Sequence, residues 1–101
     1  MVSKFELCYS RFFETQWLGF DEKTRSIIKD RLKLIKQNPL RYDTLKGYTR
    51  VRKLKLSLEG KYQRLLYALH MPKTNHILIL GVFDRDKGYQ EFERKFIKLK
   101  K

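Results

Sequence analysis

The sequence of 101 residues lacks the features that stabilise secreted proteins or anchor membrane proteins. Its one cysteine, Cys8, has no second thiol with which to form an internal disulfide or a metal site. No run approaches the about 18 uncharged apolar residues that a membrane-spanning helix needs. Lys4, Glu6 and Arg11 interrupt any apolar run near the start. We therefore expect a cytoplasmic protein with no membrane association.

Motifs for metals, cofactors and covalent catalysis are also missing. There is no glycine-rich phosphate loop and no serine in a nucleophile-elbow pattern. Asp84 and Asp86 alternate with Arg85 and Lys87, two cations that compete for the carboxylates, and no third ligand follows at metal-site spacing. The sequence therefore predicts neither a metal ion nor another cofactor.

Acidic residues are scarce, and this imbalance is the most informative feature of the composition. Lys and Arg total 24 against 11 Asp and Glu, a formal net charge of +13. Such an excess favours a polyanionic partner, because neutralising phosphates releases condensed counterions. By charge alone, nucleic acid, an acidic protein or an acidic membrane surface would fit.

The composition, with 42% hydrophobic residues, predicts a folded protein. The sequence has no linker and no internal repeat, so one domain over residues 1–101 is expected. Period-two alternation indicates strands, and spacings of three and four indicate helices. The expected elements are a strand at 4–9, helices at 11–18 and 21–38, strands at 53–58, 62–70 and 77–83, and a helix at 89–101. Asp21 is the expected N-cap of the second helix, and Asn38-Pro39 its end. This is an α+β fold, with helices packed on a three-stranded antiparallel meander.

A basic segment runs along the first two strands of this meander. Between positions 46 and 64 it holds one acid, Glu59, and seven basic residues: Lys46, Arg50, Arg52, Lys53, Lys55, Lys61 and Arg64. If the alternating leucines at 54, 56 and 58 face the core, Lys53 and Lys55 project from the other face, about 6.5–7 Å apart. The alternation on the next strand predicts Arg64 on that same face. Exposed lysines on a sheet are often only a solvated surface, but the near absence of carboxylates favours an anion site.

Several short motifs in this region resemble those of the RelE/ParE toxin superfamily. They are Leu45-Lys46-Gly47, Lys53-Leu54-Lys55, Arg64-Leu65-Leu66-Tyr67, and Arg85 followed by Tyr89. Their order, together with the upstream strand, helical hairpin and Asn38-Pro39 loop, extends the resemblance over nearly the whole chain. The resemblance implies a RelE-like fold, with an N-terminal strand and two-helix hairpin on a twisted antiparallel sheet and a C-terminal helix.

The resemblance also implies a toxin of a type II toxin–antitoxin system that cleaves mRNA in the ribosomal A site. An acidic antitoxin would inhibit it and would supply any dimerisation. The gyrase-inhibiting branch of the superfamily generally lacks the basic catalytic set, so its presence favours the nuclease branch. The catalytic residues implied are Lys53, Lys55, Arg64, Arg85 and Tyr89. The further RNA-binding residues expected are Lys46, Arg50, Arg52 and Lys61.

RNA carries its own nucleophile, the 2′-hydroxyl, so such an enzyme needs a base, charge stabilisation on the phosphate and an acid for the leaving 5′-oxygen. We expect Lys53 and Lys55 to abstract the proton and contact the phosphate, and Arg64 to hold the phosphate in the transition state. Arg85 would assist the leaving group or the phosphate, and Tyr89 would stack on or orient a base.

Other side chains give alternatives that the sequence leaves open. His70 and His76 flank a turn and would permit metal-free RNA cleavage, although turn histidines are more often plain surface residues. Trp17, with Phe12 and Phe13, offers either a stacking surface or core packing, of which core packing is favoured. Two other functions fit the chain: a non-catalytic RNA- or ribosome-binding module, and a ParE-like gyrase inhibitor.

Overall fold

The computed structural model of the protein describes residues 5–70, 75–85 and 89–96, which form five strands and three helices. In chain order these are β1 (Glu6–Tyr9), α1 (Arg11–Gly19), α2 (Glu22–Gln37), β2 (Thr44–Leu45), β3 (Tyr48–Leu58), β4 (Lys61–His70), β5 (His76–Asp84) and α3 (Gln90–Lys95). No helix in this described part is long and apolar enough to cross a membrane.

The strands form one sheet in the order β1-β5-β4-β3-β2. Strands β3, β4 and β5 make the expected antiparallel meander. Two features go beyond the prediction. β1 pairs in parallel with β5, and the two-residue strand β2 adds an antiparallel edge beside β3. The α+β fold with an N-terminal strand, a helical hairpin, a meander and a C-terminal helix is confirmed.

Side chains of α1 bind the backbone of β5 and fix this helix on the sheet. The hydroxyl of Ser10, the N-cap, accepts a hydrogen bond from the Phe13 amide and donates one to the Leu80 carbonyl. The side-chain amide of Gln16 donates to the Val82 carbonyl and accepts from the Val82 amide, both at 2.8 Å. The register between β4 and β5 shifts beside Gly81, which forms a β-bulge. A Cβ on Gly81, whose φ is 151°, would lie 2.9 Å from Gln16 Oε1, so only glycine fits there.

The second helix begins and ends where the sequence predicts. Asp21 accepts a hydrogen bond from the Thr24 amide, and this bond lowers the pKa of the Asp21 carboxyl. The helix ends at Asn38. Arg25, from its first turns, donates two hydrogen bonds to the Trp17 carbonyl at the end of α1, at 2.9 and 3.1 Å. These contacts hold the helical hairpin together.

Both faces of the sheet carry a buried apolar cluster. The face under α1 and α2, here the helical-hairpin face, buries Leu54, Leu56, Leu58, Leu65, Tyr67, Leu69, Ile77 and Ile79 against Phe13, Ile28, Leu32 and Ile35. The opposite face, here the α3 face, buries Val51, Leu66, Ala68, Leu80 and Phe83 against Phe92 of α3. The prediction that the last strand is covered on both faces is therefore confirmed. Phe13 belongs to the core, as favoured, and Phe12 and Trp17 pack against the two clusters.

Two buried tyrosines give a stability prediction with a built-in control. The Tyr67 hydroxyl donates to the Pro39 carbonyl at 2.5 Å, and burial raises the pKa of Tyr67. The Tyr48 hydroxyl is also buried, but it has no hydrogen-bond partner among the described residues. We expect Tyr67→Phe to lower the free energy of unfolding by about 1–2 kcal/mol. Tyr48→Phe should leave it unchanged or raise it. Urea denaturation measures both, and equal losses would contradict the assignment.

Some sequence predictions fall outside the described residues. These are Lys4 at the start of the first strand, most of the turn at 72–75, Asp86 and Lys87, and the helix beyond Phe96. In the described part, α3 spans six residues from Gln90 to Lys95.

Candidate phosphate-binding site

The α3 face of the sheet changes from apolar to cationic along β3 and β4. Antiparallel pairing gives four successive cross-strand pairs: Val51 with Ala68, Lys53 with Leu66, Lys55 with Arg64, and Ser57 with Tyr62. Directly opposed side chains on such a pair lie about 4.5–5.5 Å apart at Cβ. α3 packs over the apolar end through Phe92. Lys53, Lys55 and Arg64 therefore share one face, as the alternation predicted.

Arg64 is the one buried charged side chain in the described part of the chain, with 5% of its surface exposed. It lies between Lys55 on β3 and Phe83 on β5. Its guanidinium donates a hydrogen bond to the Gln63 carbonyl at 3.1 Å. No carboxylate forms an ion pair with it among the described residues. Burying an unpaired cation costs free energy, so an anion that binds beside Arg64 would offset this cost.

Tyr89 and Arg85 complete this group of side chains. Tyr89 immediately precedes α3 in a left-handed backbone conformation, with φ 61°, and is partly buried. Burial raises the pKa of Tyr89, while the nearby positive charges of Arg64 and Arg85 act in the opposite direction. The Tyr89 phenol therefore lies within electrostatic range of both guanidinium groups. We call Lys53, Lys55, Arg64 and Arg85 the cationic patch.

The cationic patch is not neutralised by ion pairs with side chains of the described residues. Across 5–70, 75–85 and 89–96, the one ion pair joins His76 to Glu6, at 3.3 Å on β5 and β1. Lys55 and Arg85 are exposed, and Lys53 is partly exposed. A shallow cavity of about 290 Å³ lies beside the two lysines, lined also by Arg41, Tyr42 and Asp43. The patch can therefore accept an anion from solvent.

The other basic residues predicted to bind RNA are not gathered at the patch. Lys46 is exposed in the β2–β3 turn, and Arg50 is exposed on β3. Lys61 pairs with Leu58 and so lies in register with the helical-hairpin face. Arg52 pairs with Tyr67 of that face, and its guanidinium donates to the Leu40 and Tyr42 carbonyls. These bonds hold the loop after α2.

The two histidines lie far from the cationic patch. His70 pairs with His76 at the other end of β4. His70 lies six positions after Arg64 along this strand, or about 20 Å at the usual rise. The His76 ring pairs with Glu6. Among the described residues, no group of three His, Cys, Asp or Glu side chains is placed to hold a metal ion.

Two features of the α3 face were not predicted from the sequence. The burial of Arg64 depends on how its side chain packs between the neighbouring strands β3 and β5, so the alternation within β4 does not predict it. Tyr62 is 67% exposed and shares the face of Arg64, two residues away on β4. The alternation that placed Arg64 on this face would also have identified Tyr62.

Comparison with solved structures identifies the fold. A double arginine-to-alanine variant of the E. coli toxin RelE, in the free state, superposes with a TM-score of 0.74. The match covers 96% of this chain and 97% of that chain, at 18% sequence identity. No protein-family profile matches the sequence, and no curated protein matches it. The chain therefore has a RelE-like fold, as the resemblance to the RelE/ParE superfamily predicted.

Proposed function

We propose that this protein is the toxin of a type II toxin–antitoxin system and cleaves mRNA in the ribosomal A site without a metal ion. The RelE-like fold supports the class of protein. The observation that carries the catalytic part is the cationic patch, in which the buried Arg64 lies opposite Lys55 with no carboxylate counterion among the described residues. A scissile phosphodiester would bring a negative charge to this cation.

The proposed reaction needs only groups on the RNA and on this face of the sheet. Lys53 or Lys55 removes the proton from the 2′-hydroxyl, and the 2′-oxygen attacks the adjacent phosphorus. The bond from phosphorus to the 5′-oxygen breaks, and the Arg85 guanidinium donates a proton to this oxygen. The proton that the lysine took from the 2′-hydroxyl is returned to Arg85 through solvent after the reaction. The products are a 2′,3′-cyclic phosphate and a 5′-hydroxyl end.

Arg64 has the largest electrostatic part in this scheme. Negative charge grows on the phosphate oxygens in the transition state, and a fixed guanidinium stabilises it without reorganising. Strand packing holds Arg64 in place before RNA arrives, and its low exposure keeps water from screening its charge. Tyr89, within electrostatic range of both arginines, would orient the base next to the scissile phosphate.

An acidic antitoxin is the proposed protein partner. The formal net charge of +13 offers a complementary surface for acidic side chains. Carboxylates placed over the cationic patch would occupy the proposed phosphate site and block RNA. The apolar side of α3, which carries Phe92, would either stay on the sheet or be displaced by an apolar segment of the partner.

Primer extension on a message under translation tests the proposed reaction. Wild-type protein should create new 5′ ends within codons in the A site, and the upstream fragments should end in 2′,3′-cyclic phosphate. A chelator added to the isolated cleavage step, on washed ribosomes that remain assembled, should leave the rate unchanged. A message with a 2′-deoxy sugar at the cleaved position should stay intact.

Assays of RNA binding and of DNA damage, run beside the primer extension, separate the two other candidate functions. Salt-dependent binding to ribosomes or RNA with no new 5′ ends would favour a non-catalytic binding module. Induced DNA damage with intact messages would favour a gyrase inhibitor. Either outcome would overturn the proposed nuclease activity.

A further inference from the structure

The geometry points to Tyr62 as a stacking platform for an unpaired nucleobase next to the phosphate that the cationic patch binds. The inference rests on the proposed function, which it deepens by assigning a base subsite. Its place on the sheet is the first support. Tyr62 pairs with Ser57, one cross-strand pair along the sheet from Lys55 and Arg64. Diagonal neighbours on such a pair lie about 7–8 Å apart, within reach of an aromatic side chain.

The ring of Tyr62 is also available. It is 67% exposed, more than any other aromatic side chain among the described residues. No aromatic ring stacks on it, and no Lys or Arg lies over it, in this part of the chain. The other rings of the α3 face differ, because Phe12, Phe83, Phe92 and Phe96 pack on one another.

The neighbourhood of Tyr62 fits a nucleotide better than an apolar partner. The residues around it on this face are a serine, a lysine and a buried arginine, so its ring covers no core. When a phosphate of an RNA strand binds Lys55 and Arg64, the adjoining base lies beside the Tyr62 ring. Proteins that recognise single-stranded RNA use aromatic side chains in this way, and stacking tolerates any base because every base has a π-face.

Equilibrium binding to short single-stranded RNAs tests the inference. Each oligomer carries 2′-deoxy sugars to prevent cleavage, and a matched series has one abasic position moved along the strand. Tyr62→Ala should weaken binding of the intact oligomer about 5- to 150-fold, the equivalent of about 1–3 kcal/mol per stacked base. Tyr62→Phe should bind within about twofold of wild type, since the ring is kept. Tyr9→Ala is the matched control, an exposed tyrosine on β1 with 44% exposure.

The abasic series separates stacking from a general effect on the strand. One abasic position should weaken binding to the wild-type protein by the same factor and should have no further effect on Tyr62→Ala. If Tyr62→Ala binds as tightly as wild type, or loses affinity equally for every oligomer, the stacking role is wrong. A tyrosine that contributes only to the stability of the β-strand would give this result.

A Lys55→Ala variant shows which proposal has failed. If Lys55→Ala weakens binding and Tyr62→Ala does not, the phosphate site stands and only the base subsite is wrong. If Lys55→Ala has no effect while Tyr62→Ala does, the base subsite stands and the phosphate site is wrong. If wild-type protein binds none of the oligomers, both proposals are overturned.

Discussion

Arg64→Met is expected to lower the rate of mRNA cleavage by about 10²–10³-fold, the usual cost of losing one preorganised electrostatic donor. Its free energy of unfolding should stay unchanged or rise. Methionine fills much of the same volume, and the substitution removes a charge that is 5% exposed and without an ion-pair partner among the described residues. Single-turnover cleavage on programmed ribosomes and urea denaturation give the two values.

Arg25→Met provides the matched control for this variant. Arg25 donates two hydrogen bonds to the Trp17 carbonyl and lies on the helical hairpin, away from the α3 face. This variant should be destabilised by about 1 kcal/mol and should keep its cleavage rate. The opposite outcome, with Arg64→Met unstable but active, would show that Arg64 is a structural residue.

A double variant of the two β3 lysines is the second substitution with a large expected effect. Lys53→Ala with Lys55→Ala should reduce cleavage by at least about 10²–10³-fold, because the proposed base and a phosphate contact are both lost. The effect should be less than the product of the single effects, since the groups act as one unit. Single-turnover rates at saturating protein measure the loss without a contribution from weaker binding.

The control for the double variant removes the same charge elsewhere. Lys23 and Lys33 are exposed on α2, on the other side of the molecule from the α3 face. Lys23→Ala with Lys33→Ala also lowers the net charge by two, so its general affinity for RNA should fall by a comparable amount. Its cleavage rate at saturation should match wild type. Equal losses in the two double variants would mean that total charge, and not the cationic patch, supports the activity.

The sequence was most informative where one local pattern decides the structure. The alternating leucines of β3 fixed which face Lys53 and Lys55 occupy, and the same parity placed Arg64 beside them. Asp21 and Asn38 marked the ends of α2, because capping depends on a few neighbouring backbone groups. Strand faces and helix ends are therefore readable from short segments.

Features that depend on long-range packing were not readable. The parallel pairing of β1 with β5 joins segments about 70 residues apart, and nothing in either strand specifies it. β2 has two residues, too few for any periodicity. Arg52 was predicted to bind RNA from the composition of its segment, and this composition did not show that its guanidinium also donates to carbonyls of the loop after α2. Position in a basic run does not say which partner a side chain meets.

The most direct test of the cationic patch is a structure of this protein on a ribosome whose A-site codon carries a 2′-deoxy sugar at the cleaved position. The scissile phosphate is predicted within hydrogen-bonding distance, about 3 Å, of the Arg64 guanidinium and the Lys55 amine. A complex in which the α3 face of the sheet is turned away from the message, with these two side chains touching no phosphate, would contradict the proposed site.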